Sequence, residues 1–78
     1  MTITHFHDLK PGDKARVLRF NGVDRVYRNR LMSLGLLPGT EFVVQHVAPL
    51  GDPVEIRLRG FHLSLRRHEA GAIEVQPL

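Results

Sequence analysis

Arg30-Leu31-Met32-Ser33-Leu34-Gly35-Leu36-Leu37-Pro38-Gly39-Thr40 reads as a helix that stops, a chain that turns and a strand that begins. Leu31 and Leu34 continue an apolar stripe begun by Val23 and Tyr27 at i, i+4, i+8 and i+11, one face of a helix over roughly 23–34. Gly35 stands where the helix end needs a left-handed residue, which glycine adopts without a side-chain clash. With Gly35 at C′, Leu31 and Leu36 occupy the two positions whose side chains meet in a Schellman ending. Pro38-Gly39 suits the centre of a type II turn, and Thr40 opens an apolar, β-branched run. The stretch is a corner between helix and strand with its own apolar plug.

Upstream of the corner, residues 3–12 read as an extended lead-in closed by a turn at Pro11-Gly12. Lys14 to Phe20 is a strand whose alternation breaks, because Ala15 and Val17 face one way while Leu18 and Phe20 face the other. A bulge near Val17 or Leu18 reconciles them. Asn21-Gly22 is a turn, and Asp24 sits favourably at the start of the helix.

Downstream, Thr40 to Ala48 is a strand with Phe42 and Val44 on one face and Val43 and Val47 on the other, a pattern that predicts cover on both sides. Pro49 to Pro53 is a rigid loop. Val54, Ile56 and Leu58 then alternate with Glu55, Arg57 and Arg59, and Phe61, Leu63 and Leu65 alternate with His62, Ser64 and Arg66. A two-residue turn at Arg59-Gly60 pairs Leu58 with Phe61, Ile56 with Leu63 and Val54 with Leu65. Slipping that register by one residue exposes every apolar partner, at roughly 1.5–3 kcal/mol for each large side chain. Arg67 to Gly71 reads as a short turn, and Ala72 to Val75 as a last strand with Ile73 inward. The expected fold is mainly β, a small, partly open barrel of about five strands with one short α-helix at one end.

A chain of 78 residues with 42% hydrophobic residues builds one small domain, residues 1–78, which buries roughly 60% of its unfolded surface. It has no cysteine, which rules out disulfides and thiolate metal sites. No apolar run approaches the roughly 20 residues of a membrane span, and the N-terminus lacks the pattern of a signal peptide. A cytoplasmic protein is expected. Eleven basic residues, nine of them arginine, against eight acidic ones leave a net charge of +3. That balance suits an acidic protein face or nucleic acid.

The order of the pieces resembles the FeoA family. The resemblance is carried by Leu9-x-Pro-Gly-Asp13, Arg30-Leu-Met-x-Leu-Gly-Leu-x-Pro-Gly39, Ala48-Pro-Leu-Gly-Asp-Pro-Val-Glu55 and Gly60-x-x-Leu-Ser-Leu-Arg-Arg-x-Glu-Ala70, which together run from Leu9 to Val75. It implies an SH3-like barrel that accompanies FeoB, the ferrous-iron permease with a cytoplasmic G-protein domain, and that works by protein contact without a reaction of its own.

Within that reading Met32, Leu36, Leu37 and Leu50 are candidate partner contacts, because the core stripe already uses Leu31 and Leu34 and Leu50 tops a proline-bounded loop. Arg28, Arg30 and Arg57 would steer the partner. Closing the barrel mouth is the plainer role for the leucines. Nucleic acid is not expected, since the aromatics fall on core positions and leave no stacking platform beside the arginines; an RNA-binding barrel remains the alternative that the charge favours. His5 and His7, at i, i+2, point the same way in an extended segment and are candidate ligands for Fe²⁺ or Zn²⁺, with Asp8 or Glu41 completing the site. Two solvated imidazoles flanking a core Phe6 is the simpler account, and a metal-sensing module is the corresponding alternative. Glu55, His62 and Ser64 share an outer face without a cleft or oxyanion donors, so no enzyme is expected. Gly35-x-x-x-Gly39-Thr40 lacks the lysine and spacing of a phosphate loop. Open barrel edges leave a homo-oligomer in play.

Overall fold

The corner forms as its sequence predicts. The computed structural model describes residues 3–21, 24–70 and 73–78, apart from the side chain of Glu69, so Gly22, Val23, Gly71 and Ala72 lie outside the described residues. Helix α1 spans Arg25–Ser33, capped at its start by Asp24, whose carboxylate accepts from the Val26 N–H at 2.8 Å. At its end the Leu36 N–H donates to the Leu31 carbonyl and the Gly35 N–H to the Met32 carbonyl, both at 3.0 Å, with Gly35 at φ +101°. Those two bonds define a Schellman ending. The Thr40 N–H then bonds the Leu37 carbonyl at 2.9 Å across Pro38-Gly39, with Gly39 at φ +91°, as a type II turn requires.

One correction concerns the stripe. Leu34 is the C-cap and stays 38% exposed, while Leu36 is fully buried in its stead. The Schellman turn reverses the chain immediately after Leu34, so the next inward side chain comes from beyond the glycine.

The remaining chain makes one antiparallel sheet of six strands, one more than the sequence predicts. These are β1 (Thr4–His5), β2 (Lys14–Arg19), β3 (Glu41–Val47), β4 (Val54–Leu58), β5 (Phe61–Leu65) and β6 (Glu74–Pro77), in the order β1-β6-β2-β3-β4-β5. The extra strand is the start of the lead-in, where Thr4 pairs with Val75 and His5 with Glu74. The lead-in then leaves the extended state for a 3₁₀ turn at Phe6–Asp8, which drives Phe6 into the core. Residues Arg67–Ala70 form a single α-helical turn, α2, and bury Ala70. Overall extents of 28 × 26 × 23 Å show a sheet rolled on itself, and β1 and β5 remain its two unjoined edges, a partly open barrel.

The β4–β5 hairpin has the predicted register in every pair, Val54 with Leu65 through to Leu58 with Phe61. Arg59 at φ 48° and Gly60 at φ 83° give the left-handed pair of a type I′ turn. The expected bulge in β2 lies between Val17 and Arg19. A second one, between Val44 and His46, corrects the expectation of a β3 strand covered on both faces. The inserted residue re-phases the alternation, so Val47 packs against the same core as Phe42 and Val44 while Val43 is left half-buried on the outer face. The core gathers Phe6, Val17, Leu31, Leu36, Ile56, Ile73 and Val75 around this rolled sheet.

Two substitutions test how the corner is held. Thr40→Val keeps the shape but removes the hydroxyl's bonds to the Leu37 N–H and the Gly35 carbonyl, which keep their bond to each other at 3.0 Å, and should cost about 1 kcal/mol, read as a lower urea midpoint with an unchanged slope. Leu31→Ala should cost about 2–5 kcal/mol and speed amide exchange in α1 more than in β4 and β5; equal acceleration everywhere would show that α1 is anchored by other contacts.

Candidate functional site

Thr40 locks the corner that displays the candidate contact residues. It is 3% exposed, and its hydroxyl accepts from the Leu37 N–H and donates to the Gly35 carbonyl, each at 3.2 Å. The corner is also stitched to β2, through Gly39 N–H to the Val17 carbonyl at 2.7 Å and Val17 N–H to the Thr40 carbonyl at 2.9 Å. Around this rigid point the predicted contact residues divide. Leu36 is wholly inside the core and offers nothing to a partner, which corrects its assignment as a contact residue. Leu37 is 36% exposed, and Leu34 and Phe61, neither of them singled out from the sequence, are as open. A Cβ on Gly35 would meet the Phe61 ring at 3.4 Å, so this end of α1 lies against the start of β5.

α1 itself is lightly anchored, since Leu31 is its one buried side chain and Val26 is 73% exposed. Its outer flank faces the end of β2 across an open groove of about 640 Å³. Leu18, Phe20, Met32 and Pro38 give the groove an apolar lining, and Arg28, Asn21 and Asn29 give it polar groups. Arg19 also lines it but is tied to Glu74 at 3.0 Å, and Asn21 donates to the same carboxylate at 2.9 Å. Met32 and Arg28 therefore line one groove. The signal for Phe20 and Leu18 was present in the broken alternation of β2: the bulge inserts Leu18 and returns Phe20 to the core side, where it packs against the core and also lines the groove.

Leu50 is 94% exposed at the tip of the loop between β3 and β4. The Asp52 carboxylate in that loop accepts from the Arg67 N–H at 2.9 Å, which ties the loop to α2. His68 of α2 meets Tyr27 of α1 edge-on, with ring centroids 5.8 Å apart. The loop carrying Leu50 is thus tied to α2, which itself touches α1 at Tyr27, while Leu37 follows the C-terminal end of α1. Of the leucines expected at one mouth, Leu36 is withdrawn into the core, while Leu37 and Leu50 stay exposed. Arg57 lies elsewhere, on the outer face of β4 opposite His62.

His5 and His7 stack with ring centroids 5.7 Å apart and planes 9° from parallel, and His7 Nε2 stands 3.5 Å from Asp8. No group of three or more histidine, aspartate or glutamate side chains arranged for a metal ion occurs among the described residues. Glu41, the other residue considered as a ligand, is engaged by Arg16 at 2.8 Å. Glu55 and Ser64 lie opposite one another on the exposed outer face, with His62 two residues from Ser64. No helix among the described residues is long and apolar enough to cross a membrane.

Comparison with known proteins agrees with this architecture. The profile of the FeoA domain matches residues 4–77. The chain is 39% identical over 69 residues to the Fe(2+) transport protein A/Fe(2+) transporter FeoB fusion protein of Porphyromonas gingivalis, a match that covers 88% of this chain and 8% of that protein. The chain therefore spans under a tenth of the length of this curated relative. Among solved structures, the FeoA protein from Chlorobium tepidum is 41% identical with a TM-score of 0.88, covering 96% of this chain and 70% of that one. The FeoA-like protein from Clostridium acetobutylicum is 35% identical with a TM-score of 0.87, covering 100% and 91%. With its sequence motifs in order, its SH3-like barrel and a family match over nearly its whole length, the chain belongs to the FeoA family.

Proposed function

We propose that this chain is a small accessory protein of ferrous iron uptake that acts in the cytoplasm by contact with the cytoplasmic part of a FeoB-type transporter. The observation that carries the reading is the relative in which a FeoA sequence is continuous with a FeoB transporter, since fusion keeps two partners at high effective concentration. The geometry supports contact in place of chemistry: the side chains on display are apolar groups and arginines on an open surface. The contact runs along α1, with Met32 and Arg28 in the groove, Arg30 on the exposed side of the helix, Leu37 at the corner and Leu50 on the loop. Apolar anchors ringed by arginines are the composition of a protein interface.

Binding of the purified chain to the soluble cytoplasmic domain of FeoB, followed by titration, tests the reading. Met32→Glu and Leu50→Asp should each raise the Kd about tenfold, or about 1.4 kcal/mol, with the circular dichroism spectrum unchanged. Binding that neither substitution alters removes this surface, and no binding by the unaltered chain removes the partner.

A further inference from the structure

A second cleft shares no residue with the groove beside α1. It holds about 380 Å³ beside the β4–β5 turn and is lined by Lys14, Glu41, Val43, Arg57, Arg59 and Leu78, with the buried Phe42 and Leu58 beneath. Register alone brings its cations together: Lys14 pairs with Val43 and Val43 with Arg57, so one cross-strand row on the outer face carries a cation on either side of a half-buried valine. Two inter-strand steps put the Lys14 and Arg57 backbones roughly 10 Å apart. Arg59 enters from the turn, where its φ of 48° holds it in left-handed backbone that side chains other than glycine, asparagine and aspartate seldom adopt.

The charges are not balanced within the molecule. Glu41, the acid in the cleft, is taken up by Arg16 at 2.8 Å, and among the described residues no carboxylate pairs with Lys14, Arg57 or Arg59. Three like charges around one cleft repel each other, a cost that an anionic occupant reverses. The spacing argues against a single small anion and for charges spread along a chain. Carboxylates at alternate positions of an extended peptide lie roughly 7 Å apart, a separation that long lysine and arginine side chains span from these positions. The lining between the cations is aliphatic, Val43 and Leu78, and the aromatic ring beneath, Phe42, is 2% exposed and closed to base stacking.

We propose that this cleft docks an acidic, extended peptide segment of a partner protein, with carboxylates on Lys14, Arg57 and Arg59 and an apolar side chain over Val43 and Leu78. The proposal does not rest on the FeoB reading, and its test uses no FeoB. The probe is a fluorescein-labelled synthetic peptide of alternating glutamate and leucine, titrated by anisotropy at low salt, with amide chemical shifts recorded on the intact chain. Shifts should concentrate at Lys14, Val43, Arg57, Arg59 and Leu78, and the peptide with glutamine in place of glutamate should not bind. Arg59→Gly suits the turn and spares the fold, yet should weaken binding about fivefold, as losing one exposed ion pair allows. Arg57→Glu should abolish it, and Arg25→Glu on α1 should leave it unchanged. The proposal is overturned by absence of binding, by equal weakening from Arg25→Glu, or by an Arg59→Gly chain that binds as before. It is also overturned if oligouridylate, or a phosphatidylserine vesicle, takes the same residues more tightly than the peptide.

Discussion

The Thr40 hydroxyl is the point on which the rest of this small barrel turns. It sits inside the protein with its hydrogen-bonding capacity used twice, once by the Leu37 N–H and once by the Gly35 carbonyl. Those backbone groups belong to a segment that has left the helix and has not yet entered the sheet, where no ladder serves them. The bonds from Val17 and Gly39 fasten the same segment to β2. Helix, turn and barrel wall are thereby held in one orientation by a few groups, and Leu31 and Leu36 enter the core from the two sides of the glycine.

From that fixed corner follows the character of α1. The helix is tied down at its C-terminal end and by Leu31, and shows most of its remaining surface to solvent. A helix that buries so little contributes modestly to the core and presents much, including Val26, Met32 and a row of arginines. The β4–β5 hairpin is its opposite: an alternating pair of strands with Val54, Ile56, Leu58 and Leu65 all buried, whose register leaves no choice. The hairpin holds its apolar side chains inside and shows its polar face outward, whereas the helix leaves most of its surface open.

The arginines fall into two groups by whether a carboxylate meets them. The arginines with acidic neighbours, Arg16 with Glu41, Arg19 with Glu74 and Arg66 with Asp52, are on or beside strands where cross-strand neighbours face each other. Arg16 with Glu41 is an exposed pair that contributes little to stability, whereas Glu74 is largely buried and also accepts from Asn21. Arg25 and Arg28 on α1, and Arg57 and Arg59 on the hairpin, have no such carboxylate among the described residues, which concentrates the net charge of +3 on the helix and the hairpin.

Local chemistry was enough to determine the features set by near neighbours in the chain. The Schellman ending at Gly35, the type II turn at Pro38-Gly39, the bulge in β2 and the full register of the Arg59-Gly60 hairpin were all legible, because each depends on residues within a few positions of one another. The tertiary structure alone decided which surplus apolar residue goes inside. Leu36 and Leu37 are neighbours of identical chemistry, and only the direction of the chain after the left-handed glycine sends Leu36 into the core and Leu37 outward. The same holds for the sixth strand, which exists only because the distant β6 supplies its hydrogen-bond partners, and for the bulge in β3 that moves Val47 to the inner side. It holds too for the cationic row of Lys14 and Arg57, residues far apart in the chain that a shared neighbour, Val43, brings to one face. Pattern along the chain specifies turns and faces; which faces meet is settled by long-range pairing, whose energy depends on the whole rolled sheet.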